Sequence, residues 1–433
     1  MTAELRVVPV EDRAWLLAAL ADALAGHGPI LPLGTGVSEH LRSELLERIR
    51  IAGLPEETAV IVHTSGSSGV PKAVALSATA LLASAEATHE ALGGPGQWLV
   101  TLPGNLISGL QMLVRSIVAN TEPVFVDGPF DPETLLRAAE QMEHPRRYVS
   151  VVPVQLARLI DLAERDVHAA EAMRGFAAVL VGGQAISTAL RQRAHELGIT
   201  LRRSYGMTET AGGCVYDGVE IGDTQVRIRG GEVQLSGSSL ALGYIGEAEL
   251  TEQQFVIDGG TRWYRTGDAG ELLGGMLTVT GRIDRVVISG GVNVSLDEVE
   301  RVASELPGWS SVVALGVPHP EWGERVSLVV ETEAEATAFE EVREAIRSRL
   351  GAAAAPEWVT ETTALPRLPG GKPDRVGIER WIRELRQSFA EVRAAEARAD
   401  ALVAGLEAML AAMQPEAEIP SVTPEDPQSP PTP

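Results

Sequence analysis

The chain has 433 residues, with 36 Lys+Arg against 59 Asp+Glu and a formal net charge of −23. That length is more than one hydrophobic core usually serves, and an apolar fraction of 45% fits a folded protein rather than a disordered one. The negative field argues against a nucleic-acid partner, and the single Cys214 excludes an intrachain disulfide framework and any cysteine-based zinc site.

One cysteine fits a reducing cytosol. Met1 to Trp15 shows no secretory signal, and no stretch approaches the roughly 20 apolar residues that span a bilayer, so a cytoplasmic protein without a membrane partner is expected. Ala59–His63 reads as a short buried strand, followed by the Gly/Ser-rich run Thr64 to Lys72 and a helical apolar spacing over Ala73–Leu92. Alternation continues with strand Trp98–Leu102, helix Leu110–Val118, strand Val124–Val126, helix Asp131–Met142, strand Tyr148–Val152 and helix Val154–Glu164. Val179–Val181 and Thr200–Arg203 read as strands around helix Ser187–Leu197. Strands alternating with helices predict an α/β fold with mainly parallel sheets. From Val226 to Thr280 the segments are short, alternating and Gly-bounded, which suggests an antiparallel barrel or sheet.

A compact α+β region follows. Ser295 caps a helix running to Glu305, with Glu298 at the capping-box spacing. Strands Ser311–Val317 and Val326–Glu331 and a helix over Glu333–Leu350 come next. Ile382, Leu385, Phe389, Val392, Glu396, Ala399, Val403, Leu406, Leu410 and Met413 then follow a 4-3-4-3 spacing with one polar break. That is a heptad stripe, read either as a coiled coil giving a homo-oligomer or as an amphipathic helix lying on its own domain. Gln414–Pro433 holds seven Pro and no basic residue and reads as a disordered tail. The expected domains are 1–283, a small C-terminal domain 284–380, the helix 381–413 and the tail 414–433.

Only two of the 36 basic residues are lysines, Lys72 and Lys372. Arginine cannot copy every role of a compact ammonium, so both are candidates for function. Lys72 closes Thr64-Ser65-Gly66-Ser67-Ser68-Gly69-Val70-Pro71-Lys72, a strand–loop–helix arrangement suited to cradling phosphates. It lacks the Gly before and the Ser/Thr after the lysine that the common P-loop requires. Tyr205-Gly206-Met207-Thr208-Glu209 offers an aromatic face, a hydroxyl and a carboxylate within one turn. Asp268, Arg282 with Asp284, Ser289-Gly290-Gly291, and the Gly-flanked Lys372 loop complete the set.

These segments, in this order, resemble the acyl-adenylate-forming superfamily of acyl-CoA synthetases, luciferases and peptide-synthetase adenylation domains. Glu232–Tyr244 is similar to a further segment of that family, and the likeness runs from about Val60 to Arg375. The short N-terminal part and Tyr205–Val219 resemble the subfamily of actinobacterial 2-succinylbenzoate–CoA ligases of menaquinone synthesis. The resemblance implies a large N-terminal domain of mainly parallel sheets with a small β-barrel, and a mobile C-terminal domain. It implies that a carboxylate attacks ATP, releasing pyrophosphate, and that coenzyme A then displaces AMP. Thr64, Ser65, Gly66, Ser67, Ser68, Gly69 and Lys72 would hold phosphates. Gly183, Gln184 and Tyr205 would face the nucleotide base, and Thr208 would touch phosphate. Glu209 would ligate Mg²⁺, Asp268 and Arg282 would take the ribose, and Lys372 would bridge the acid and the α-phosphate. Asp284 would be a hinge and Ser289, Gly290 and Gly291 would line the coenzyme A path.

Asn105, Leu106, Ser108, Gly109, Gly206 and Gly213 would line the acyl pocket. Here Asn105 and Leu106 stand where such ligases usually carry His-His, which opens the identity of the acid and the acceptor. Arg115 is read either as a partner for a second substrate carboxylate or as a surface arginine. Two other functions remain open: an adenylating ligase for a different acid or acceptor, and a non-catalytic nucleotide-binding scaffold that oligomerises.

Overall fold

A computed structural model describes residues 4–64, 72–332, 336–368 and 371–413; in the last helix the side chains at 390, 392–395, 397 and 410–413 lie outside the description. Ser65–Gly69 and the Gln414–Pro433 tail therefore fall outside the described residues. The chain divides into two compact units, one through Arg375 and one from Val376.

The expected α/β alternation is present. Strands Val124–Phe125, Gln97–Val100, Arg147–Val151, Ala178–Gly182 and Leu201–Met207 run parallel in one seven-stranded sheet. Gly212–Tyr216 and Val219–Glu220 extend it antiparallel. The core of this layer holds Leu99, Val149, Val151, Val179 and Val181 against helices Pro153–Ala163 and Val167–Arg174, the second of which the sequence analysis did not pick out. A second sheet orders Arg6–Pro9, Ile30–Leu33, Thr58–Thr64, Lys72–Ser77 and Gly243–Tyr244.

Lys72–Ser77 corrects the expected helix over Ala73–Leu92. It is a strand antiparallel to Thr58–Thr64, with Thr64 opposite Lys72. Its side chains alternate between two cores: Ala73 and Ala75 pack on one face, Val74 and Leu76 on the other. A strand buried on both faces shows an unbroken apolar run, which a helical template also accepts. The helix begins at Ala78, where the Ser77 hydroxyl accepts from Ala80 N at 3.1 Å.

Gln225–Arg229, Glu232–Ser236, Phe255–Asp258, Thr261–Leu273 and Met276–Arg282 form an antiparallel five-stranded sheet, as the alternating segments suggested. Val286–Ser289, Val292–Ser295, Val312–His319, Gly323–Glu331 and Trp358–Thr362 form a fourth sheet covered by helices Leu296–Ser304 and Phe339–Leu350. Ser295 accepts from Glu298 N at 3.3 Å, as its capping position requires. The second helix starts at Phe339, later than expected, and residues 333–335 lie outside the description. Helix Arg375–Met413 is continuous over 39 residues. Among the described residues no helix is long and apolar enough to cross a membrane.

Candidate active site

Parallel sheets place ligands beyond the carboxyl ends of their strands. Gly182 ends its strand in register with Ser204 of the adjacent parallel strand, which continues to Met207. Beyond Gly182, Gly183 adopts φ +83°, and a Cβ there would lie 3.1 Å from Lys372 Cε. The neighbouring Gly371, at φ +79°, stands over Val152, which follows the next strand. The Lys372 loop thus reaches the strand ends that the resemblance assigned to the nucleotide. Its backbone turn is closed by Leu368 N donating to Lys372 O at 2.8 Å. Lys372 keeps exposure as a residue, yet its ammonium is surrounded by protein on the scale over which a charge is solvated. That desolvation lowers its proton affinity against the opposing pull of Asp268 and Glu209.

Strand Leu201–Met207 runs past the turn expected at Ser204. Gly206 can only be glycine, because a Cβ would strike the Gly212 carbonyl of the antiparallel neighbour. Tyr205 Oη donates to Asp268 Oδ2 at 2.6 Å. Asp268 also takes Arg282 Nη1 at 3.3 Å, and Arg282 grips Asp284 through Nε and Nη2, both at 3.0 Å. Burial raises the Asp268 carboxyl despite these donors, and the Tyr205 phenol is raised well above its ordinary value by burial and by Asp268. The Arg282 chelate holds Asp284 below the usual carboxylate range.

Thr208–Thr210 is a 3-10 turn. Thr210 Oγ1 accepts from Met207 N at 3.0 Å and donates to the Gly212 carbonyl at 2.7 Å, while Ala241 N donates to Glu209 O at 2.8 Å. Glu209 Oε1 accepts from Tyr244 Oη at 2.8 Å. Tyr244 pairs with Val74 across the strand, so Lys72, two residues along on the same face, lies with Nζ 5.1 Å from the ring centroid. Lys72, Tyr244, Glu209 and Lys372 therefore form one connected group. Tyr264 joins it through its interaction with Tyr244. Neither tyrosine was singled out from the sequence, although Tyr244 closes the Glu232–Tyr244 segment.

Helices Ala78–Ala91 and Ile107–Ala119 carry or adjoin the residues that the resemblance assigned to the acyl pocket. Gly109 is required where the second helix turns over the Leu102 and Pro103 carbonyls. Asn105 and Leu106 are half-buried in the preceding turn, and Ser108 is exposed. A Cβ on Gly212 would meet Gln111 and Ser84, and one on Gly213 would meet Ser204 and Tyr216. Arg115 is 4% exposed, which overturns the surface reading. Its guanidinium lies 4.8 Å over the Trp98 ring, and among the described residues it has no carboxylate partner and its Nε no hydrogen bond. Ser84 Oγ, His89 Nε2, Trp98 Nε1 and Gln111 Oε1 are likewise buried without a partner. Burial and then Arg115 push His89 down to about 4. His89, Ser84 and Gln111 were missed; polar residues at the core-facing spacing of Ala78–Ala91 and Ile107–Ala119 were the available signal.

Gly290 and Gly291 form a two-residue hairpin turn between Ser289 and Val292, with φ +58° and +82°. Gly290 N donates to Trp322 O at 2.9 Å, and Ser289 is fully buried. Among the described residues no hydrogen bond or ion pair links this turn to the Lys372 group. Gln184 is half-buried just after Gly183.

The family model of AMP-binding enzymes matches residues 32–245, and that of their C-terminal domain matches 298–372. A probable 2-succinylbenzoate–CoA ligase of Mycobacterium tuberculosis is 36% identical over 376 residues, covering 85% of this chain and 95% of its own. The chain is a member of the AMP-binding enzyme family. A 2-succinylbenzoate–CoA ligase of Escherichia coli is 32% identical, covering 76% of this AMP-binding enzyme and 70% of its own length. The fold is shared with o-succinylbenzoate CoA synthetase of Bacillus subtilis in complex with its acyl-adenylate intermediate, with a TM-score of 0.73 and 22% identity over 87% of this chain and 88% of that one.

Proposed function

We propose that this AMP-binding enzyme is an ATP-dependent acid–CoA ligase acting on an aromatic dicarboxylate of the 2-succinylbenzoate kind. The observation that carries the choice of acid is Arg115: a buried guanidinium without a protein anion is costly unless a ligand supplies the charge. In the first step a substrate carboxylate oxygen bonds to the α-phosphorus of ATP while the bond to the β-phosphate bridging oxygen breaks, releasing pyrophosphate. Lys372 neutralises the attacking and α-phosphate oxygens; Lys72, Thr64 and the Ser65–Gly69 loop hold the departing phosphates. Thr208 donates to phosphate, Gly183, Gln184 and Tyr205 bound the base, and Asp268 with Arg282 receives the ribose. Such catalysis is positioning plus charge neutralisation.

Mg²⁺ fits Glu209, because the nucleotide-bound ion takes one or two carboxylates plus phosphate and water rather than a protein cage; it would neutralise charge on the phosphates. In the second step the coenzyme A sulfur bonds to the acyl carbon and AMP leaves with the bonding pair. Asp284, held by Arg282, is the hinge about which residues 284–380 move relative to the sheets of 1–283, the antiparallel one being read as the small barrel. Ser289, Gly290 and Gly291 line the thiol path in that second pose. Gly109, Gly206 and Gly213, with Asn105, Leu106 and Ser108, shape the acyl pocket. The helical extension is read as a self-association element.

A second reading keeps adenylation but changes the acid or acceptor, and Asn105 and Leu106 favour it. Pyrophosphate release over a panel of mono- and dicarboxylic acids, with and without coenzyme A, separates the two. Release with succinylbenzoate and thioester formation support the first; silence with every dicarboxylate removes it.

A further inference from the structure

We propose that Asp297 is a positioning residue for the adenylation step. By accepting from the Arg282 backbone across the hinge, it holds the pose in which Lys372 stands at the strand ends. Coenzyme A transfer then requires that bond to break; this rests on the reading of Asp284 as the hinge and names what secures one of its two poses.

Arg285 N donates to Arg282 O at 3.2 Å and closes a turn around Asp284. A rotation about the Asp284 backbone leaves the residues before it with the sheets of 1–283 and carries along the residues after it. Asp297 lies after the hinge, in the first turn of helix Leu296–Ser304. Its Oδ2 accepts from Arg282 N, before the hinge, at 2.6 Å. The seat is close: Gly281 adopts φ +152°, and a Cβ there would lie 2.9 Å from Asp297 Cβ and 3.1 Å from Ser295 Oγ. The same structure holds the Lys372 loop against Gly183. Bonds between residues on one side of the hinge travel with it and leave the balance of poses unchanged. A bond across it favours the pose in which it forms.

Asp297 is itself anchored toward Lys372. It pairs with Arg285, whose Nη2 donates to Glu300 Oε1 at 2.8 Å and to the Ala314 carbonyl at 2.9 Å. Glu300 Oε2 accepts from Arg375 Nη2 at 2.8 Å, three residues past Lys372. The Arg285 and Glu300 side chains are each 14% exposed. Burial raises the Glu300 carboxyl, but Arg375 and Arg285 outweigh it and hold the group below its ordinary value, so the anion persists. A chain of ion pairs thus runs from Asp297 to the foot of the Lys372 loop, and a pull at the hinge reaches the lysine through it.

The test separates the two half-reactions on the full chain. Asp297→Ala removes the bond across the hinge and leaves Arg285 its Glu300 and Ala314 partners. Single-turnover pyrophosphate release should slow about tenfold, while thioester formation from enzyme already carrying acyl-adenylate keeps its rate or quickens. Asp297→Asn retains an acceptor for Arg282 N and should recover most of the loss. A fall of both steps by one factor, or Asp297→Asn as slow as Asp297→Ala, overturns the proposal. Spin labels at Ser43→Cys and Ser348→Cys, exposed on helices Glu39–Ala52 and Phe339–Leu350, read the pose. Cys214 does not compete for the label, being buried with its thiol pushed up to about 12. The unsubstituted Asp297 enzyme should show two distances, with the balance shifted by coenzyme A lacking its sulfur. Asp297→Ala should shift it the same way with no ligand. One unchanging distance in every sample removes the hinge and the role of Asp297 together. Two distances whose balance ignores Asp297→Ala remove the role of Asp297 alone. The shift needs no turnover, so it is read separately from the choice of acid.

Discussion

Tyr244 Oη donates to Glu209 Oε1 at 2.8 Å, and the same ring carries the Lys72 ammonium 5.1 Å from its centroid. One side chain thus orients both the carboxylate proposed to hold Mg²⁺ and one of the chain's two lysines. Burial, and then the Glu209 charge, raise the Tyr244 phenol, so it stays a donor through the physiological range. Tyr244→Phe removes the hydrogen bond and keeps the ring. We expect kcat/KM for ATP to fall about tenfold, as loss of one charge-assisted hydrogen bond implies, with the Mg²⁺ midpoint moved upward. Tyr244→Leu should lose more, because the ring under Lys72 goes too. Equal losses in the two variants contradict the division of roles; steady-state kinetics over a Mg²⁺ titration reads it.

Lys372 gives a pH signature. Its proton affinity is lowered by desolvation, with Asp268 and Glu209 pulling the other way. A lowered value means that the cation on which the proposed role depends is lost below the ordinary lysine range as pH rises. The alkaline limb of kcat/KM, which reports the free enzyme, should therefore lie below that range, and the limb of kcat should lie higher because bound phosphates favour the cation. Lys372→Ala should keep ATP affinity within a few-fold and lose adenylation by about two to three orders of magnitude. Pyrophosphate release and nucleotide binding measured on one sample decide it.

His89 should make stability fall in mild acid. Its value drops from 6.5 to about 4 in the fold, first through burial and then through Arg115. The unfolded chain binds a proton as pH falls below 6.5 and the folded chain does not, so stability is present above that pH and is lost down to about 4. The full loss is about 3 kcal/mol. His89→Leu should flatten this part of the slope. Urea midpoints at pH 7.5 and 4.5 check it, and an unchanged slope in the variant would remove His89 as the cause.

Much of this arrangement was legible because glycines and scarce lysines have few structural alternatives. Gly183 lies beside Lys372 and Tyr205 sits near the end of Leu201–Met207, whereas Asp268 lies within Thr261–Leu273 rather than at a strand end. Lys72–Ser77 was misread because a strand buried on both faces has no period of two in hydrophobicity. The Tyr205–Asp268–Arg282–Asp284 chain was not legible as a set of contacts, since it depends on the register between Thr261–Leu273 and Met276–Arg282, where Asp268 pairs with Arg282. The buried polar cluster at Arg115 was half legible. Arg115 itself could be named, but its burial sets it over Trp98 from a strand and near His89 from another helix.

On the proposed function, that cluster opposes stability to function at Arg115. The Arg115 guanidinium is buried over Trp98 with no carboxylate among the described residues, and burial lowers its hold on the proton. Such a cation costs the empty fold free energy that a packed apolar side chain does not, and replacing buried charges by apolar residues of similar volume often stabilises by about 1–4 kcal/mol. Arg115→Met should therefore raise the urea midpoint. It should also move His89 toward its ordinary value, since the neighbouring positive charge is gone. The same change should cost about a hundredfold in kcat/KM for a dicarboxylic acid, because the distal carboxylate loses a charge-assisted pair, and little for an acid lacking that group. A merely structural arginine predicts the reverse: lower stability, and equal losses for both acids.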